Sequence, residues 1–365
     1  MFGGIKIMKS RLIIVGGFLG AGKTSLLWEA ATRIDEAGKE VGLITNDQAS
    51  ELVDTSLLET TGDVVKEVSG SCFCCNFNGF VDAIESIIDT NGSGYILAEP
   101  VGSCTDLSAT IMQPLKEEFS DLVELAPLTV LADPYRLEEI LEDHSSSAAY
   151  ILFKQFEEAD IILINKTDLI SEDQLKKLVK KVNNTWKAKV LCASVYDKKG
   201  IDEWLDYLYS DEALLKVGDR IVDVDYDIYA EGEAAFGWLN AKFEIEGDLN
   251  FESVIDELLS GLSDRFIREH IDVGHVKFLL TTEKESFIAN ITGNTQNISY
   301  RVIDKTSDKV ELIINARAET SPDILEKTVR EEVSKVLGSV KYKVTGMNCL
   351  IPGRPNPTHR YTSVV

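Results

Sequence analysis

The first 208 residues alternate short apolar runs with stretches in which apolar residues recur every three or four positions. The apolar runs predict strands at 11–16, 40–45, 64–68, 94–98, 127–132, 160–164 and 188–192. Stretches such as Leu175, Leu178, Val179 and Val182 place apolar side chains on one face of a helix. Continuously apolar strands that alternate with helices are typical of a mostly parallel sheet covered on both faces, so the pattern predicts an α/β fold.

The pattern changes after residue 208. Between 209 and 233 the periodicity fades and acidic residues accumulate, which indicates an acidic linker. From 234 to 349 we expect a smaller α+β domain, with strands at 238–245, 275–280, 286–291, 309–316 and 341–349 and helices at 251–266 and from Ser321 to Leu337. The predicted organisation is therefore a first domain at 1–208, the linker, a second domain at 234–349 and a tail at 350–365.

The charge of the chain limits its partners. A formal net charge of −24 argues against nonspecific binding to nucleic acid or to anionic membranes. No run approaches the roughly 18 uninterrupted apolar residues of a membrane-spanning helix, so we expect a soluble, cytoplasmic protein. From Gly338 onward the chain has basic residues and no acidic one. This basic tail either docks on the acidic body or follows a last strand as a loose terminus.

The stretch from Gly17 to Thr24 fits the pattern G-x-x-x-x-G-K-[ST]. In such a loop the backbone N–H groups surround phosphates, while Lys23 and the Thr24 hydroxyl reach phosphate oxygens and Mg²⁺. An apolar strand leads into the loop, and a helical pattern leads out of it. The N-terminus of that helix would add its partial positive charge beneath the phosphates. The sequence therefore predicts a nucleotide-binding P-loop.

A second motif, Asn165-Lys166-Thr167-Asp168, follows the apolar run that ends at 164. An aspartate there can accept hydrogen bonds from the two N–H groups of guanine. Adenine has no amino group at that edge, so the aspartate would lose a partner, at a cost of about 1 to 3 kcal/mol. Cys192-Ala193, after the next strand, would lie against the base. The motif predicts that the nucleotide is GTP.

Acidic residues follow several predicted strands. Glu99 ends one strand and precedes Gly102, whose small size lets a loop approach the γ-phosphate. A carboxylate there can hold Mg²⁺ or position the attacking water, and the alternative is a helix-capping or surface acid. Asp47 and Asp133 end two other strands and are further candidates, with Asp54 a weaker one.

Ser71-Cys72-Phe73-Cys74-Cys75 places three thiols within four positions. Thiolates are ligands for Zn²⁺, Cu(I) and similar ions, but three cysteines do not complete a tetrahedral site, so a fourth ligand must come from elsewhere. The alternatives are a redox pair and buried structural thiols. The other three cysteines, Cys104, Cys192 and Cys349, are isolated in sequence and are expected in the core.

Taken together, the P-loop, the C-x-C-C cluster, the glutamate at 99 and Asn-Lys-x-Asp resemble the CobW-type GTPases, relatives of the hydrogenase and urease nickel-insertion GTPases. The resemblance covers the whole chain, less specifically in the second domain, which is similar to the CobW C-terminal domain. It implies GTP binding, slow hydrolysis and delivery of a transition metal, with Zn²⁺ or Co²⁺ expected, to a client metalloprotein. A homodimer would be one way to complete the metal shell.

The resemblance also implies roles for individual residues. The phosphates and Mg²⁺ are assigned to Gly17, Gly20, Ala21, Gly22, Lys23, Thr24 and Ser25. Glu99 is the third-motif acid and, with Thr24, a Mg²⁺ ligand. The predicted catalytic set is Glu99, Asp47 and Lys23. The guanine site consists of Asn165, Lys166, Asp168 and Ala193, and the transition-metal site of Cys72, Cys74 and Cys75.

Some positions depart from the family pattern. Asn46-Asp47-Gln48 stands where many members have Asn-Glu-Phe-Gly-Glu, Ser71 replaces a glycine, and a histidine-rich stretch is missing. These departures leave the metal and the client open. An alternative function is a GTP-dependent assembly or activation factor for a corrinoid enzyme, in which the cysteines are not a transfer site. A small-molecule kinase is disfavoured by the guanine motif.

Overall fold

The computed structural model describes residues 9–47, 53–59, 63–92, 94–247, 249–293, 297–303, 306–307 and 309–365. The chain divides into two compact units. The first unit contains residues 1–48, 61–225 and 355–365, and the second contains residues 49–60 and 226–354. The second unit therefore takes in a short stretch from the first sixty residues, and the first unit takes in the C-terminal tail.

The first unit is built on a parallel sheet, as the apolar runs predict. Its strands in the described residues are β1 (Ser10–Gly17), β2 (Val41–Asp47), β3 (Val64–Ser69), β4 (Tyr95–Glu99), β5 (Val123–Leu125), β6 (Thr129–Ala132), β7 (Ile161–Ile164) and β8 (Lys189–Cys192). They are arranged in the order β3-β2-β4-β1-β6-β7-β8, with β5 beside the start of β1. All of these pairings are parallel, and β7 is buried along its whole length. The predicted α/β class is confirmed.

The helices of the chain are α1 (Lys23–Glu36), α2 (Val53–Leu58), α3 (Phe77–Asn91), α4 (Gln113–Glu118), α5 (Pro134–Glu142), α6 (Ser147–Glu158), α7 (Glu172–Thr185), α8 (Ile201–Leu208), α9 (Asp211–Leu214), α10 (Tyr226–Ala234), α11 (Phe251–Glu269) and α12 (Pro322–Leu337). A π-helical turn, Ser108–Met112, leads into α4. Several helices begin where a polar side chain accepts a backbone N–H. Ser171 does so for α7 and forms a capping box with Gln174, which satisfies two N–H groups that the first turn leaves without intrahelical partners.

The second unit is an antiparallel sheet covered by helices. Its strands are β9 (Gly237–Glu246), β10 (Val273–Thr281), β11 (Ser286–Thr292), β12 (Asn297–Ile303), β13 (Val310–Ala318) and β14 (Lys341–Leu350), in the order β12-β11-β10-β13-β9-β14. Helices α11 and α12 pack on this sheet and on each other. Their buried faces, which include Leu258, Phe266 and Val333, meet strand residues such as Phe243 and Phe278 in one core. Burial of each such side chain contributes about 1.5 to 3 kcal/mol.

Helix α2, on the stretch that follows β2 in the chain, packs within the second unit. The backbone N–H of Val53 donates to Asn315 Oδ1 of β13 at 2.9 Å. The Asp54 carboxylate forms an ion pair with Lys277 of β10. Asp54, a weak sequence candidate for metal or water, therefore has a contact that belongs to the packing of this helix.

The structure contains two strands that the sequence does not predict, and helical residues within the predicted linker. Strand β5 was not predicted, because three residues are too short to show a pattern. Strand β12 was not predicted either, because its apolar residues are interrupted by Asn297, Ser299 and Arg301. The segment 209–233, predicted as a linker, contains α9 and most of α10. Helix α9 has only four residues, and α10 buries little of its surface, so neither shows a clear apolar stripe.

Among the described residues, the structure contains no helix both long enough and apolar enough to cross a membrane.

Candidate nucleotide and metal sites

The loop between β1 and α1 has the backbone conformation that a P-loop needs. Gly17, Gly20 and Gly22 all have positive φ, at 128°, 79° and 99°. Two features exclude a side chain at Gly22. Its φ is positive, and a Cβ would lie 2.5 Å from Asn165 Nδ2. Helix α1 begins directly after Gly22, so its first N–H groups and the positive end of its dipole face the loop. The local geometry thus suits a bound polyphosphate.

Three polar side chains meet beside this loop. The Thr24 hydroxyl donates to Glu99, with Oγ1 2.9 Å from Oε2, and Lys23 Nζ lies 3.8 Å from Glu99 Oε1. Lys23 Nζ also donates to the Gly17 carbonyl oxygen at 2.8 Å. All three side chains are buried, with Glu99 only 7% exposed. A hydroxyl and a carboxylate in contact are the oxygen donors that Mg²⁺ prefers, so the residues present fit that ion.

The Asn-Lys-x-Asp segment lies beside the P-loop and the loop after β8. Asn165 Nδ2 donates to the Ala21 carbonyl at 2.9 Å, and Asn165 Oδ1 accepts from the Val195 N–H at 3.1 Å. The Ala193 carbonyl accepts from the Thr167 N–H and hydroxyl. Asp168 is exposed at its turn and accepts from the Ser194 hydroxyl at 2.6 Å. The structure therefore brings the predicted guanine-site residues together, and it adds Ser194, which the motif did not include.

Two other acidic candidates have different positions. The Asp133 side chain caps α5 by accepting from the N–H groups of Tyr135 and Arg136, and it forms an ion pair with Lys166 at 2.9 Å. The Asp133 carboxylate therefore contacts the first turn of α5 and Lys166 of the Asn-Lys-x-Asp segment. Asp47 is the last residue of β2, but its side chain lies outside the described part of the chain. Its catalytic role stays a prediction.

The three clustered cysteines lie in a tight turn between β3 and α3. The N–H groups of Cys75 and Asn76 both donate to the Cys72 carbonyl. Their sulfurs lie within 4.8 Å of one another, with Cys72 and Cys74 2.9 Å apart and Cys74 and Cys75 3.9 Å apart. All six cysteines of the chain are described and are free thiols. The turn thus brings together three thiols that could hold a metal ion.

Asn46, at the end of β2, holds this turn in place. Its Nδ2 donates to the carbonyls of Val68 and Ser71 at 2.7 and 2.8 Å, and its Oδ1 accepts from the Phe73 N–H at 2.9 Å. The register of the sheet places Thr45, the residue before Asn46, opposite Glu99. Strand β2, which pairs with β4 at Glu99, therefore also fixes the cysteine turn.

Cys104 is buried in the core, as its isolated position in the sequence predicts. Its thiol influences the pKa of both Cys72 and Cys74 by hydrogen bonding. The contact with Cys104 lowers the pKa of Cys72 far below its usual range and raises the pKa of Cys74. Contact with Cys72 raises the pKa of Cys75 to about 11. One thiolate, at Cys72, is thus favoured by S–H donors around it, and its charge then opposes a second ionisation.

The C-terminal tail docks on the first unit beside the cysteines, which resolves the alternatives that the sequence left open. The Asn356 N–H donates to Cys75 Sγ at 3.2 Å, and the Thr358 N–H donates to the Cys74 carbonyl at 2.8 Å. The Arg360 guanidinium pairs at 2.6 Å with Asp106, which is fully buried. The basic tail therefore contacts the cysteine turn and neutralises a buried acid two residues after Cys104.

Part of the first unit matches the model of a known protein family. Residues 11–191 match the model described as CobW/HypB/UreG, nucleotide-binding domain. Residues 11–191 are therefore similar to CobW/HypB/UreG nucleotide-binding domains. The resemblance inferred from the motifs is confirmed by this match.

Known proteins are similar to this CobW/HypB/UreG domain at moderate identity. A zinc chaperone CobW from Sinorhizobium sp is 27% identical over 47% of this chain and 54% of its own length. A zinc-regulated GTPase metalloprotein activator 1 from Schizosaccharomyces pombe is 32% identical over 47% of this chain and 43% of its own length. The chain thus spans about half the length of these curated relatives. The protein in the crystal structure of Zn(II)-bound YjiA GTPase from E. coli is 16% identical over 90% of this chain and 99% of its own length, with a TM-score of 0.39.

Proposed function

We propose that this chain binds and slowly hydrolyses GTP and holds a transition metal ion on Cys72, Cys74 and Cys75 for delivery to a client metalloprotein. The observation that carries the proposal is the presence, in one unit, of a P-loop with Thr24 in contact with Glu99 and of three sulfurs within 4.8 Å. The names of the zinc chaperone and the zinc-regulated activator favour Zn²⁺ as the cargo. The cytoplasm, where thiols stay reduced, is the compartment that suits such a site.

The phosphate site is assigned to residues by their contacts. The glycine-rich loop and the first turn of α1 would hold the phosphate oxygens with backbone N–H groups. Lys23 would exchange its contact with the Gly17 carbonyl for a phosphate oxygen, and Thr24 and Glu99 would hold Mg²⁺. When bound, Mg²⁺ neutralises charge on the phosphates. Glu99 is the residue we assign to the attacking water, and Asp168 to the guanine edge.

The sulfur site suits an ion that is passed on. Cys75 is half-buried and the other two cysteines are buried, so the ion would have one accessible edge. Thiol protons must leave before a metal binds, so binding at this site releases protons and its affinity rises with pH. Three sulfurs alone leave a tetrahedral ion with an open position, which a ligand from a client can enter.

The test measures nucleotide and metal on the full chain purified under reducing conditions. We expect GTP binding with slow phosphate release, and about one zinc per chain, by elemental analysis. The triple variant Cys72→Ser, Cys74→Ser and Cys75→Ser should bind GTP but lose the zinc, whereas Cys349→Ser in the second unit should keep it. Failure of the wild-type chain to bind GTP, or an equal zinc content in the triple variant, would overturn the proposal. Client activation by the triple variant in metal-limited cells would favour the assembly-factor alternative.

A further inference from the structure

We propose that residues 355–365, a segment we call the strap, stabilise the ion on Cys72, Cys74 and Cys75 and must detach before that ion is transferred. The inference rests on the proposed function, because it concerns the release of the same cargo. The strap belongs to the first unit, although it follows the second unit in the chain. It contacts the first unit in two places, at the cysteine turn and on the segment after Glu99.

The first contact of the strap is with the cysteine turn. The Asn356 N–H donates to Cys75 Sγ at 3.2 Å, and the Thr358 N–H donates to the Cys74 carbonyl at 2.8 Å. The Thr358 hydroxyl donates to the Cys75 carbonyl at 3.2 Å. Cys72 and Cys74 are buried and Cys75 is half-buried, so the strap bonds to the sulfur that a chelator or a client reaches first. A hydrogen bond to a metal ligand orients that ligand, which stabilises the bound ion.

Two prolines favour the docked form of the strap. Pro355 and Pro357 flank Asn356, and Pro355 is buried. Proline fixes its own φ and restricts the residue before it to extended backbone. The detached strap therefore has fewer conformations to lose when it docks, so a small number of contacts can hold it in place.

An ion pair fastens the strap beyond these prolines. Arg360 Nε lies 2.6 Å from Asp106 Oδ2, and Arg360 Nη2 donates to the Val222 carbonyl at 3.3 Å. The Tyr361 N–H donates to the Ala109 carbonyl at 3.0 Å. The Asp106 side chain is fully buried, whereas that of Arg360 is 30% exposed, so detachment would return the arginine to water and leave the carboxylate behind. A buried carboxylate without its cation is strongly destabilised, so the pair opposes detachment.

The position of Asp106 connects the strap with the nucleotide site. Asp106 lies seven residues after Glu99, on the segment whose Gly102 lies against Leu19 of the P-loop. A movement of this segment on GTP hydrolysis would displace Asp106 and loosen the strap. Release of the ion would then follow the state of the nucleotide without any contact between the ion and the phosphates.

The experiment compares zinc transfer from the full chain with and without the ion pair. Zinc-loaded wild-type chain and Arg360→Gln are mixed with a chromophoric chelator, and the transfer is followed by stopped-flow absorbance. Transfer should be at least about tenfold faster in Arg360→Gln, because the loss of a charged hydrogen bond raises the detached population. Arg354→Gln is the matched control, since this arginine pairs with Asp227 on the surface of the second unit and should leave the rate unchanged.

A second variant tests the whole strap. A chain that ends at Arg354 lacks residues 355–365 and should transfer zinc at least as fast as Arg360→Gln. An excess of synthetic peptide with the sequence of residues 355–365 should slow this transfer again, and the same peptide with Arg360→Gln should not. Far-UV circular dichroism and the unfolding midpoint check that both variants are folded.

Hydrogen exchange on the wild-type chain needs no variant. The Asn356 and Thr358 amides are bonded to the cysteine turn, so their exchange reports detachment of the strap. Because the strap and the ion stabilise each other, zinc should slow this exchange several-fold. Exchange that is indifferent to zinc, or equal zinc transfer in folded Arg360→Gln and in the wild-type chain, would overturn the role of the strap and leave the proposed function standing. A wild-type chain that takes up no zinc would overturn both.

Discussion

The hydroxyl of Thr24 and the carboxylate of Glu99 are in direct contact, with Oγ1 2.9 Å from Oε2 and 3.2 Å from Oε1. Thr24 lies in the first turn of α1, and Glu99 is the last residue of β4, the strand next to β1. The Glu99 carboxylate has little access to water, so the groups that face it decide its direction. Its orientation towards Thr24 is what makes Glu99, rather than Asp133, our candidate for the reacting end of the nucleotide.

Glu99→Gln tests that assignment. The amide keeps the size and can still accept from Thr24, but it has no charge for Mg²⁺ and no basicity for water. We expect GTP affinity to change only a few-fold and the rate of phosphate release to fall on the order of 100-fold. Single-turnover hydrolysis measures the rate, with Glu203→Gln on the exposed face of α8 as the control. Hydrolysis at the wild-type rate would remove Glu99 from the mechanism.

Asp168→Asn tests the choice of base. The Asp168 carboxylate, placed by the Ser194 hydroxyl, would accept from the two N–H groups of guanine. An amide cannot accept both, and bonds to charged groups contribute about 1.5 to 3 kcal/mol each, so GTP affinity should fall on the order of 100-fold. Affinity for xanthosine triphosphate should rise, because xanthine offers a carbonyl oxygen that an amide N–H can donate to. Competition against a fluorescent nucleotide measures both, and Asp173→Asn is the control. Unchanged selectivity would contradict the assignment.

The fold was largely predictable because its signals are local. Strands such as β7 are continuously apolar, and the start of α12 is marked by Ser321 and Pro322. These features depend on sequence neighbours alone. Strand β12, by contrast, exists because it pairs with β11 along seven residues, a long-range contact that the polar residues of its own sequence do not reveal.

The same distinction applies to the candidate site. Lys23, Thr24 and the three clustered cysteines are close in sequence, so a motif finds them. Cys104 lies 29 residues beyond Cys75, and its influence on Cys72 and Cys74 depends on the fold. The contact of Asn356 with Cys75 spans an even longer separation, because the chain runs through the second unit before it returns.

Glu158 should make the stability of the first unit depend on pH. Burial raises the pKa of Glu158 to about 8, helped by the nearby charge of Asp106 and opposed by the N–H of Ser108. In the unfolded chain the carboxyl ionises near pH 4.5. Between these values the unfolded state has lost the proton and the folded state keeps it, so stability is full below about pH 4.5 and falls as pH rises to about 8. The slope should approach about 1.4 kcal/mol per pH unit.

Glu158→Gln removes that titration. The amide oxygen can still accept from the Ser108 N–H, which now lies 2.9 Å from Oε2, so the variant should be more stable than the wild-type chain near pH 8 and its pH profile flatter. Hydrogen exchange of β7 amides, corrected for intrinsic rates, reports the opening of this unit. The neighbouring Glu157→Gln, on the surface beside Lys154, should leave the profile unchanged. Equal slopes for Glu158→Gln and the wild-type chain would contradict the raised pKa.

Gly102→Ala tests whether the nucleotide and metal sites are coupled through the Glu99 loop. An added Cβ would lie 2.7 Å from Leu19 Cδ2 and 3.2 Å from Leu19 N, so the loop would have to move away from the P-loop. In the wild-type chain we expect zinc affinity to differ between a GTP analogue and GDP by roughly 5- to 150-fold, and zinc must then shift nucleotide affinity by the same factor. In Gly102→Ala the ratio of the zinc affinities in the two nucleotide states should fall towards one.

The double variant Leu19→Ala, Gly102→Ala decides whether contact between these two residues carries the coupling. Removal of the Leu19 side chain makes room for the new Cβ, so the double variant should recover part of the ratio of zinc affinities between the two nucleotide states. Leu19→Ala alone measures the effect of losing the contact between Leu19 and Gly102. Chelator competition in each nucleotide state gives the four factors of this cycle. Equal zinc affinities in both nucleotide states of the wild-type chain would exclude coupling altogether. If Gly102→Ala keeps the full wild-type ratio of zinc affinities, the coupling runs through another connection, such as Asn46, which joins β2 to the cysteine turn.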